Sequence, residues 1–381
     1  MKNKQVIILL SLFITIWLFP TQSLLAFSPL TTAKGAVVLE VSSGRILFQK
    51  NAYLKMPMAS TTKIMTAILA IEQGNLKDTV MISDRAAGVE GSSLYLIKGE
   101  KISLENLLYG LMLRSGNDAA VAVAEHVGGN VEDFVAMMNQ KALEIGAKDT
   151  HFTNPNGLHD DAHYTTAYDL ALLSAYAMKN PTFRTIVSTK SIKITGEGLS
   201  DTRSLQNNND LLWQYKGGNG IKTGYTTVSK RCLVSAASRS GMQLVCVVLN
   251  CQSWFEESMA LLDYGFTEYK PTTILKTNEN MGQINVINGY AKTVSLKLKK
   301  EINIPLKEGE MDQVLINLYL PTTIKAPIKK GDKIGSAVIH LGKEISMQED
   351  IYATENIHEN AWLPNIQKIL AYWVTADRNT P

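Results

Sequence analysis

The chain has 381 residues, of which 45% are hydrophobic and 19% are charged, and its formal net charge at pH 7 is +3. This length is enough for two domains, and the composition is that of a folded globular protein rather than a disordered one. The small net charge and the lack of a Lys- or Arg-rich block argue against a nucleic-acid-binding protein.

The N-terminus predicts a signal peptide, residues 1–26. Lys2 and Lys4 precede a nearly unbroken apolar stretch at residues 6–19. That stretch is shorter than the roughly 20 residues that a membrane-spanning helix needs, whereas it suits a cleavable export signal. We therefore expect the mature protein to start near Phe27 and to work outside the cytoplasm.

The segment from Ser60 to Ile71 predicts a buried helix that begins with a serine and a lysine. Apolar side chains cover most of its surface, and Gly74 marks its end. Ser60 and Lys63 share one face of such a helix, so that hydroxyl and amine can contact each other. Burial lowers the pKa of an amine, and a neutral Lys63 could then take the proton of Ser60 and activate it as a nucleophile. On its own, the motif also fits a capped helix with a surface lysine.

An α+β domain with an antiparallel sheet flanked by helices is predicted for residues 27–270. Strand-like runs at both ends of this segment enclose a set of helices, which makes the first and last strands neighbours in one sheet. The predicted strands are 36–41, 45–49, 189–194, 221–223, 232–238 and 243–249. The predicted helices, besides the one after Ser60, are 104–112, 119–127, 132–145, 166–179 and 256–264.

Residues 271–355 predict a small all-β domain, and residues 356–381 predict an amphipathic C-terminal segment. The β-rich part alternates apolar and polar residues between turns that contain Gly or Pro. The C-terminal segment places its apolar residues on one face of a helix that is too short to span a bilayer. We expect it to lie in a membrane interface, with docking on the β domain as the alternative. These apolar residues are Trp362, Leu363, Ile366, Ile369, Leu370, Trp373 and Val374.

Neither the cysteines nor the histidines predict a metal site. Cys232, Cys246 and Cys251 lie in or beside apolar strands and are expected to be free, buried thiols, with a bridge between the last two as the alternative. His159 and His163 lie four residues apart in a polar, turn-rich segment without an obvious third ligand, so we expect a solvated loop there.

Three short motifs, each present once, carry the chemistry. They are S-x-x-K at Ser60 and Lys63, S-x-N from Ser115 to Asn117, and K-T-G from Lys222 to Gly224. Acyl transfer by a serine needs a base within hydrogen-bond reach of the hydroxyl, and Lys63 can be that base. Ser115 can relay a proton to the leaving amine, while the amide of Asn117 can hold the substrate backbone.

The third motif predicts a place for an extended peptide. Lys222 and Thr223 offer a cation and a hydroxyl to a terminal carboxylate. Gly224 lets the strand come close to a peptide that pairs with its edge. The backbone N–H groups of Ser60 and Tyr225 could form an oxyanion hole.

With these motifs in this order, the chain resembles the low-molecular-weight penicillin-binding proteins, specifically the D-alanyl-D-alanine carboxypeptidases of the serine peptidase type. The segments that carry the resemblance are 59–66, 113–120, 124–129, 165–169 and 220–226. The resemblance covers residues 30–270 well and the rest more loosely. The pattern is closest to the sporulation-associated members.

The resemblance implies a β-lactamase/transpeptidase-like fold and removal of the terminal D-alanine from peptidoglycan pentapeptides through an acyl-serine. It implies Ser60 as nucleophile, Lys63 as base, Ser115 and Asn117 in the second motif, and Lys222 in substrate binding. The expected partners are the peptidoglycan stem, β-lactams that trap the enzyme covalently, and a membrane surface. We expect the outer face of the cytoplasmic membrane or the cell wall as the location, and no nucleic acid, metal or organic cofactor.

Two stretches depart from the pattern of some family members. Asn156 stands where they have a histidine, and residues 250–252 (Asn-Cys-Gln) stand where they have an arginine. These departures concern deacylation and carboxylate recognition rather than acylation. The alternatives are a β-lactamase or a DD-endopeptidase on the same fold, a non-catalytic penicillin-binding sensor or scaffold, and a metal carboxypeptidase. No glutamate can be assigned as the deacylating base of a β-lactamase.

Overall fold

The structure is a computed structural model, which describes residues 29–196, 202–342 and 345–360, together with 362, 366, 368–371 and 373. The predicted signal peptide lies outside these residues. By its contacts the chain divides into residues 1–30 and residues 31–381, and the second unit is described below. The predicted domain boundaries at residues 26, 270 and 355 stay predictions.

The first part of this unit contains a five-stranded antiparallel sheet and two small two-stranded sheets. Its strands are β1 (Gly35–Glu40), β2 (Ile46–Lys50), β3 (Thr79–Met81), β4 (Lys101–Ser103), β5 (Ser191–Ile194), β6 (Arg203–Gln206), β7 (Gly218–Thr226), β8 (Lys230–Arg239) and β9 (Met242–Leu249). The five-stranded sheet has the order β2-β1-β9-β8-β7, so the first and last strands are neighbours as predicted and β7 is an outer strand. The two-stranded sheets are β3-β4 and β5-β6, so the predicted strand at 189–194 lies outside the five-stranded sheet.

Helices pack on both faces of the sheet. They are α1 (Lys63–Gln73), α2 (Asp84–Ala87), α3 (Leu104–Leu113), α4 (Asn117–Gly128), α5 (Val131–Ile145), α6 (Ala167–Met178), α7 (Pro181–Ser188), α8 (Leu211–Gln214) and α9 (Trp254–Glu268). Each predicted helix is present, although α9 runs to Glu268 rather than to residue 264. The sequence analysis missed α2, α7, α8 and the β3–β4 hairpin, because elements this short show little periodicity.

Strand β1 shows why the sheet is buried on both sides. Val37 and Leu39 pack among the helices that surround α1, whereas Ala36 and Val38 pack on the opposite face, which α9 covers. Side chains alternate between the two faces of a strand, so a strand covered on both faces reads as a continuous apolar run. Helix α1 lies deep in the helical layer, where residues 63–70 are all buried.

The second part is the predicted small all-β domain. Its strands are β10 (Lys270–Leu275), β11 (Asn280–Ile287), β12 (Thr293–Leu298), β13 (Ile302–Leu306), β14 (Val314–Tyr319), β15 (Thr323–Lys325), β16 (Lys333–Leu341) and β17 (Ile345–Ala353). They form a two-stranded sheet, β10-β13, and a six-stranded sheet in the order β14-β16-β17-β12-β11-β15. This domain has an apolar core of its own, which includes Val294, Leu296 and Ile339.

A buried arginine joins the two parts. Arg45, next to β2, donates two hydrogen bonds to the carboxylate of Glu310 at 2.7 and 2.8 Å and one to the carbonyl oxygen of Pro305. Its guanidinium also lies 5.0 Å from the ring centroid of Tyr269, which directly precedes β10. The all-β domain is therefore bound to the larger sheet by a charge pair with little access to water.

In the predicted C-terminal segment, Ile357 is buried and forms a β-bridge with Ile328 of the all-β domain, whereas the described residues from 362 onward are helical and mostly exposed. Trp362, Ile369, Leu370 and Trp373 present their side chains to solvent, whereas Leu363 and Val374 lie outside the described residues. Among the helices that the structure describes, none has the length and apolar character that crossing a membrane requires. The predicted interfacial position of this segment stays a prediction.

Candidate active site

The predicted nucleophile lies in a tight turn rather than in an α-helix. Residues Ala59–Thr62 form a 3-10 turn, and α1 begins only at Lys63. The sequence analysis placed the helix start at Ser60, and the structure corrects this by three residues. Ala59 has φ 48°, a conformation that is costly for a residue with a β-carbon. Ser60 is thus held on a strained turn at the entrance to a buried helix.

The Lys63 amine contacts three groups and is fully buried. Its Nζ lies 3.0 Å from Ser60 Oγ, 2.7 Å from Asn117 Oδ1 and 2.6 Å from the carbonyl oxygen of Asn156. The two carbonyl oxygens can accept both hydrogens of a neutral amine, which leaves its lone pair for the hydroxyl of Ser60. The S-x-x-K and S-x-N motifs therefore meet at one nitrogen atom.

The electrostatic surroundings favour the neutral form of this amine. Burial holds the pKa of Lys63 well below its ordinary value of 10.5, and the positive charge of Lys222 lowers this pKa further. The carboxylate of Asp118 acts in the opposite direction and raises the pKa. A lysine with a lowered pKa can act as a general base near neutral pH.

Asn117 and Asp118 also fasten a loop beside the site. Asn117 Nδ2 donates to the carbonyl oxygen of Glu90 at 2.6 Å, and the carboxylate of Asp118 accepts hydrogen bonds from the backbone N–H groups of Leu94 and Leu96. A β-carbon at Gly91 would come 2.6 Å from Asn117 Nδ2, so the loop passes close to this amide. The sequence analysis did not predict this loop as part of the site.

Ser115, the first residue of the second motif, is buried in the connection between α3 and α4. Its φ of 65° is unusual for a residue other than glycine and is typical of strained positions near functional sites. Its predicted role as a proton relay, and the predicted contact of Asn117 with substrate, stay predictions.

The K-T-G motif lies on the outer strand β7, where it passes the nucleophile. An ideal β-carbon at Gly224 would lie 3.1 Å from the backbone nitrogen of Ser60 and 3.2 Å from the carbonyl oxygen of Met58. Only glycine allows this approach without a shift of the turn. Tyr225 follows directly, and the predicted oxyanion hole of the Ser60 and Tyr225 N–H groups stays a prediction.

The side chain of Lys222, which belongs to β7, is buried, with 1% of the residue's surface exposed. Its Nζ donates to the carbonyl oxygen of Thr223 at 2.9 Å, and burial lowers its pKa from 10.5 to about 7. The predicted roles of Lys222, Thr223 and Gly224 in substrate binding stay predictions.

The loop at residues 154–157 supports the site from the other side. Besides the carbonyl oxygen of Asn156, it contributes Gly157, whose φ is 88°. A β-carbon there would come within 2.0 Å of the carbonyl oxygen of Ala59. The Asn-Pro-Asn-Gly sequence indicated a turn, but only the fold brings that turn against the nucleophile.

His163 is not in a solvated loop, which corrects the prediction for this residue. Only 3% of its surface is exposed, and its Nδ1 accepts a hydrogen bond from the backbone N–H of Thr153 at 3.0 Å. Its Nε2 lies 2.7 Å from Thr62 Oγ1, which in turn donates to the carbonyl oxygen of Ala59 at 2.8 Å. Burial lowers the pKa of His163 from 6.5 to about 4, so the ring is neutral at pH 7. Its contact with Thr62 stabilises the Ala59–Thr62 turn.

The second histidine of this segment and the three cysteines differ in their exposure. His159, unlike His163, is exposed, and no group of three or more His, Cys, Asp or Glu side chains in the described part of the chain is arranged to hold a metal ion. Cys232, Cys246 and Cys251 are buried and free, as predicted.

The fold and site together define a serine hydrolase of the penicillin-binding class, in which a buried lysine lies within hydrogen-bond distance of a serine hydroxyl. Residues 24–253 match the family of D-alanyl-D-alanine carboxypeptidases known as peptidase S11, and residues 269–359 match the C-terminal domain of penicillin-binding protein 5. The chain therefore belongs to the peptidase S11 family. The predicted fold class and the predicted enzyme class, a serine-type D-Ala-D-Ala carboxypeptidase of the cell wall, are confirmed.

Individual relatives agree with this assignment. The chain is 33% identical over 350 residues to the D-alanyl-D-alanine carboxypeptidase DacF of Bacillus subtilis, covering 90% of each chain. It is 29% identical over 355 residues to DacA of Escherichia coli K12, covering 89% of this chain and 87% of the relative. The crystal structure of penicillin-binding protein 5 from Haemophilus influenzae is similar at a TM-score of 0.72 and 30% identity, covering 87% of this chain and 99% of the other.

Proposed function

We propose that this carboxypeptidase removes the terminal D-alanine from peptidoglycan pentapeptide stems, with Ser60 as the nucleophile and Lys63 as its base. The observation that carries the proposal is the 3.0 Å contact between Lys63 Nζ and Ser60 Oγ, made by a fully buried amine. Burying an amine costs free energy, and a purely structural lysine would not need to contact a serine hydroxyl next to the outer strand of the sheet.

The reaction needs no group beyond the chain and water. Neutral Lys63 takes the proton of Ser60 Oγ while the oxygen attacks the carbonyl carbon of the penultimate D-alanine. The negative charge that develops on the carbonyl oxygen is stabilised by the N–H groups of Ser60 and Tyr225. The C–N bond then breaks, and the proton passes from Lys63 through Ser115 to the leaving amine.

Water completes the cycle by hydrolysing the acyl-serine, which returns the proton to Ser60 Oγ and releases the shortened stem. A β-lactam follows the same first step, but its leaving nitrogen stays attached to the acyl group. The acyl-enzyme therefore persists, which is the basis for covalent penicillin binding.

The outer position of β7 suits an extended peptide substrate. Backbone groups on the outer edge of this strand can pair with a peptide that lies between β7 and the Ala59–Thr62 turn. Gly224 and the exposed Tyr225 lie where such a peptide would pass the nucleophile.

Intact-mass spectrometry of the mature protein after mixing with a penicillin, followed over time beside D-alanine release from a diacyl D-Ala-D-Ala peptide, tests the proposal. A lasting single adduct on Ser60 together with D-alanine release is expected. An adduct that disappears within seconds indicates a β-lactamase, and a lasting adduct without peptide turnover indicates a sensor or scaffold. Ser60→Ala abolishes the adduct with an unchanged fold, whereas the control Ser295→Ala in the β domain keeps it.

We also propose that the protein is exported and lies on the outer face of the cytoplasmic membrane. The exposed apolar side chains of Trp362, Ile369, Leu370 and Trp373 support an interfacial helix. Partitioning of the mature protein into anionic lipid vesicles, with and without residues 357–381, tests this. Equal partitioning of both forms contradicts the anchor. The sporulation-associated subtype stays a prediction.

A further inference from the structure

A polar pocket of about 410 Å³ opens at the end of strand β7, just beyond the K-T-G motif. It is lined by Tyr225, Lys230, Arg231, Asn250, Cys251 and Gln252. Tyr225 directly follows Gly224, the residue that passes the backbone nitrogen of Ser60. The pocket therefore begins one residue beyond the glycine that passes Ser60, and two of the residues that line it, Lys230 and Arg231, are cations.

Strand pairing places Arg231 near the threonine of the K-T-G motif. In the β7–β8 register, Tyr225 lies opposite Arg231 and Thr223 lies opposite Leu233. Alternation along β7 puts the side chains of Thr223 and Tyr225 on the same face. Arg231 is thus the diagonal neighbour of Thr223, at a separation that long side chains can bridge.

The guanidinium of Arg231 is held in place by two contacts, but some of its N–H donors remain available for a ligand. Its Nη1 donates to the carbonyl oxygen of Gln252 at 2.8 Å, and its Cζ lies 5.8 Å from the ring centroid of Trp254. The residue remains exposed. A guanidinium carries five N–H donors, so these contacts leave donors for an anion in the pocket.

A carboxypeptidase must distinguish a free C-terminal carboxylate from a continuing chain, and a permanent cation does this best. Lys222, the predicted cation, is buried and already donates to the carbonyl oxygen of Thr223. Burial lowers the pKa of Lys222 to about 7, so this lysine does not keep its charge throughout the neutral pH range. Arginine keeps its charge throughout this range and matches the planar geometry of a carboxylate.

We propose that Arg231, together with the hydroxyl of Thr223, binds the C-terminal carboxylate of the substrate and sets the preference of the enzyme for a free carboxyl terminus. This inference rests on the proposed function, because it assigns a residue to one end of the same substrate.

Two peptides test it: a diacyl peptide that ends in D-Ala-D-Ala with a free carboxylate, and the same peptide with a C-terminal amide. In Arg231→Gln, kcat/KM for the free acid falls by about 10- to 100-fold, as expected when a charged hydrogen bond is lost, while kcat/KM for the amide changes less than about twofold. Arg231→Lys recovers part of the loss, since it restores the charge without the planar fork. The control Lys216→Gln, at an exposed lysine outside the pocket, lowers kcat/KM for the free acid by less than about threefold.

Equal losses on acid and amide, or an unchanged ratio between them, overturn the inference, as does a loss in Lys216→Gln equal to that in Arg231→Gln. Thermal unfolding of Arg231→Gln shows whether its contact with Gln252 matters for folding, and the acid-to-amide ratio stays informative in any folded variant. If the unaltered protein hydrolyses neither peptide, the proposed function itself fails, which is a separate result.

Discussion

Gly157 lies directly against the carbonyl group of Ala59, the residue that precedes the nucleophile. A β-carbon at position 157 would come within 2.0 Å of Ala59 O and 2.9 Å of the backbone nitrogen of Ser60. Ala59 itself has φ 48°, so two unusual backbone conformations meet behind Ser60. The loop and the turn therefore hold each other in the geometry that directs the Ser60 N–H and hydroxyl toward the site.

We predict that Gly157→Ala slows acylation by a β-lactam by at least about tenfold. The new methyl group must displace the carbonyl of Ala59, and a shift of this size moves the nucleophile away from Lys63. The measurement is the second-order rate constant of acylation, taken beside the free energy of unfolding. Gly146→Ala is the matched control, because Gly146 has φ 97° but nothing within 4 Å of its β-carbon position.

Gly146→Ala should lose only the stability, about 1–2 kcal/mol, that a left-handed conformation costs a residue with a β-carbon, and it should be acylated at the normal rate. Equal acylation rates in both variants would mean that the contact between Gly157 and Ala59 has no part in placing Ser60.

We predict that Lys222→Gln moves the acid limb of the acylation rate to higher pH. The base must be neutral, and the positive charge of Lys222 is one cause of the lowered pKa of Lys63. Removing that charge raises the pKa of Lys63, so a smaller fraction of the amine is neutral at a given pH. The pH profile of penicillin acylation measures this shift. Lys216→Gln, at an exposed lysine, is the control, and a profile that stays in place for Lys222→Gln contradicts the electrostatic coupling.

We predict that His163 makes the protein less stable as the pH falls from 6.5 to 4. The pKa of His163 is about 4 in the folded protein and 6.5 when the ring is exposed, so the unfolded state binds more protons in this window. Stability therefore rises with pH through the window and falls on acidification. In His163→Gln this part of the slope disappears.

The same variant loses the contact with Thr62 and should be about 1 kcal/mol less stable at pH 7. Urea unfolding at several pH values measures both effects. An unchanged slope in His163→Gln would show that the ring is not buried in its neutral form.

We predict that Arg45→Met weakens the attachment of the all-β domain. The substitution leaves the largely buried carboxylate of Glu310 without its partner, which costs about 3 kcal/mol. Denaturant unfolding should then show a loss of stability, and proteolysis near Tyr269 should become faster. Lys98→Met breaks the exposed pair with Asp84 and should cost less than about 1 kcal/mol. If the two variants lose the same stability, Arg45 does not join the domains in the way that its contacts indicate.

Local sequence was sufficient for most secondary structure and for the motifs that the fold brings together. Apolar runs and turn residues predicted the sheet order of β1 and β9 as well as the all-β domain, because periodicity and turn chemistry are local properties. The three motifs identified Ser60, Lys63, Asn117 and Lys222, since acyl transfer restricts which side chains can carry it.

Local sequence was not sufficient for contacts between distant segments. The histidine at position 163 was interpreted as solvated because its neighbours are polar, whereas the fold buries it against Thr62, 101 residues earlier in the chain. Gly157 and Glu90 likewise gave no sign of contacting Ala59 and Asn117. Such contacts depend on how helices and loops pack, and packing is decided by the whole core rather than by any short stretch.

The sequence by itself thus determined the protein family, the order of most elements and the motif residues that we propose for acyl transfer. Only the tertiary structure decided that Ser60 lies on a 3-10 turn, that Lys63 is fully buried, and that Arg231 faces the pocket beyond Gly224. The reason is physical: a side chain's type follows from its position in the chain. Its burial, and with it its pKa and its partners, follows from segments that folding brings together.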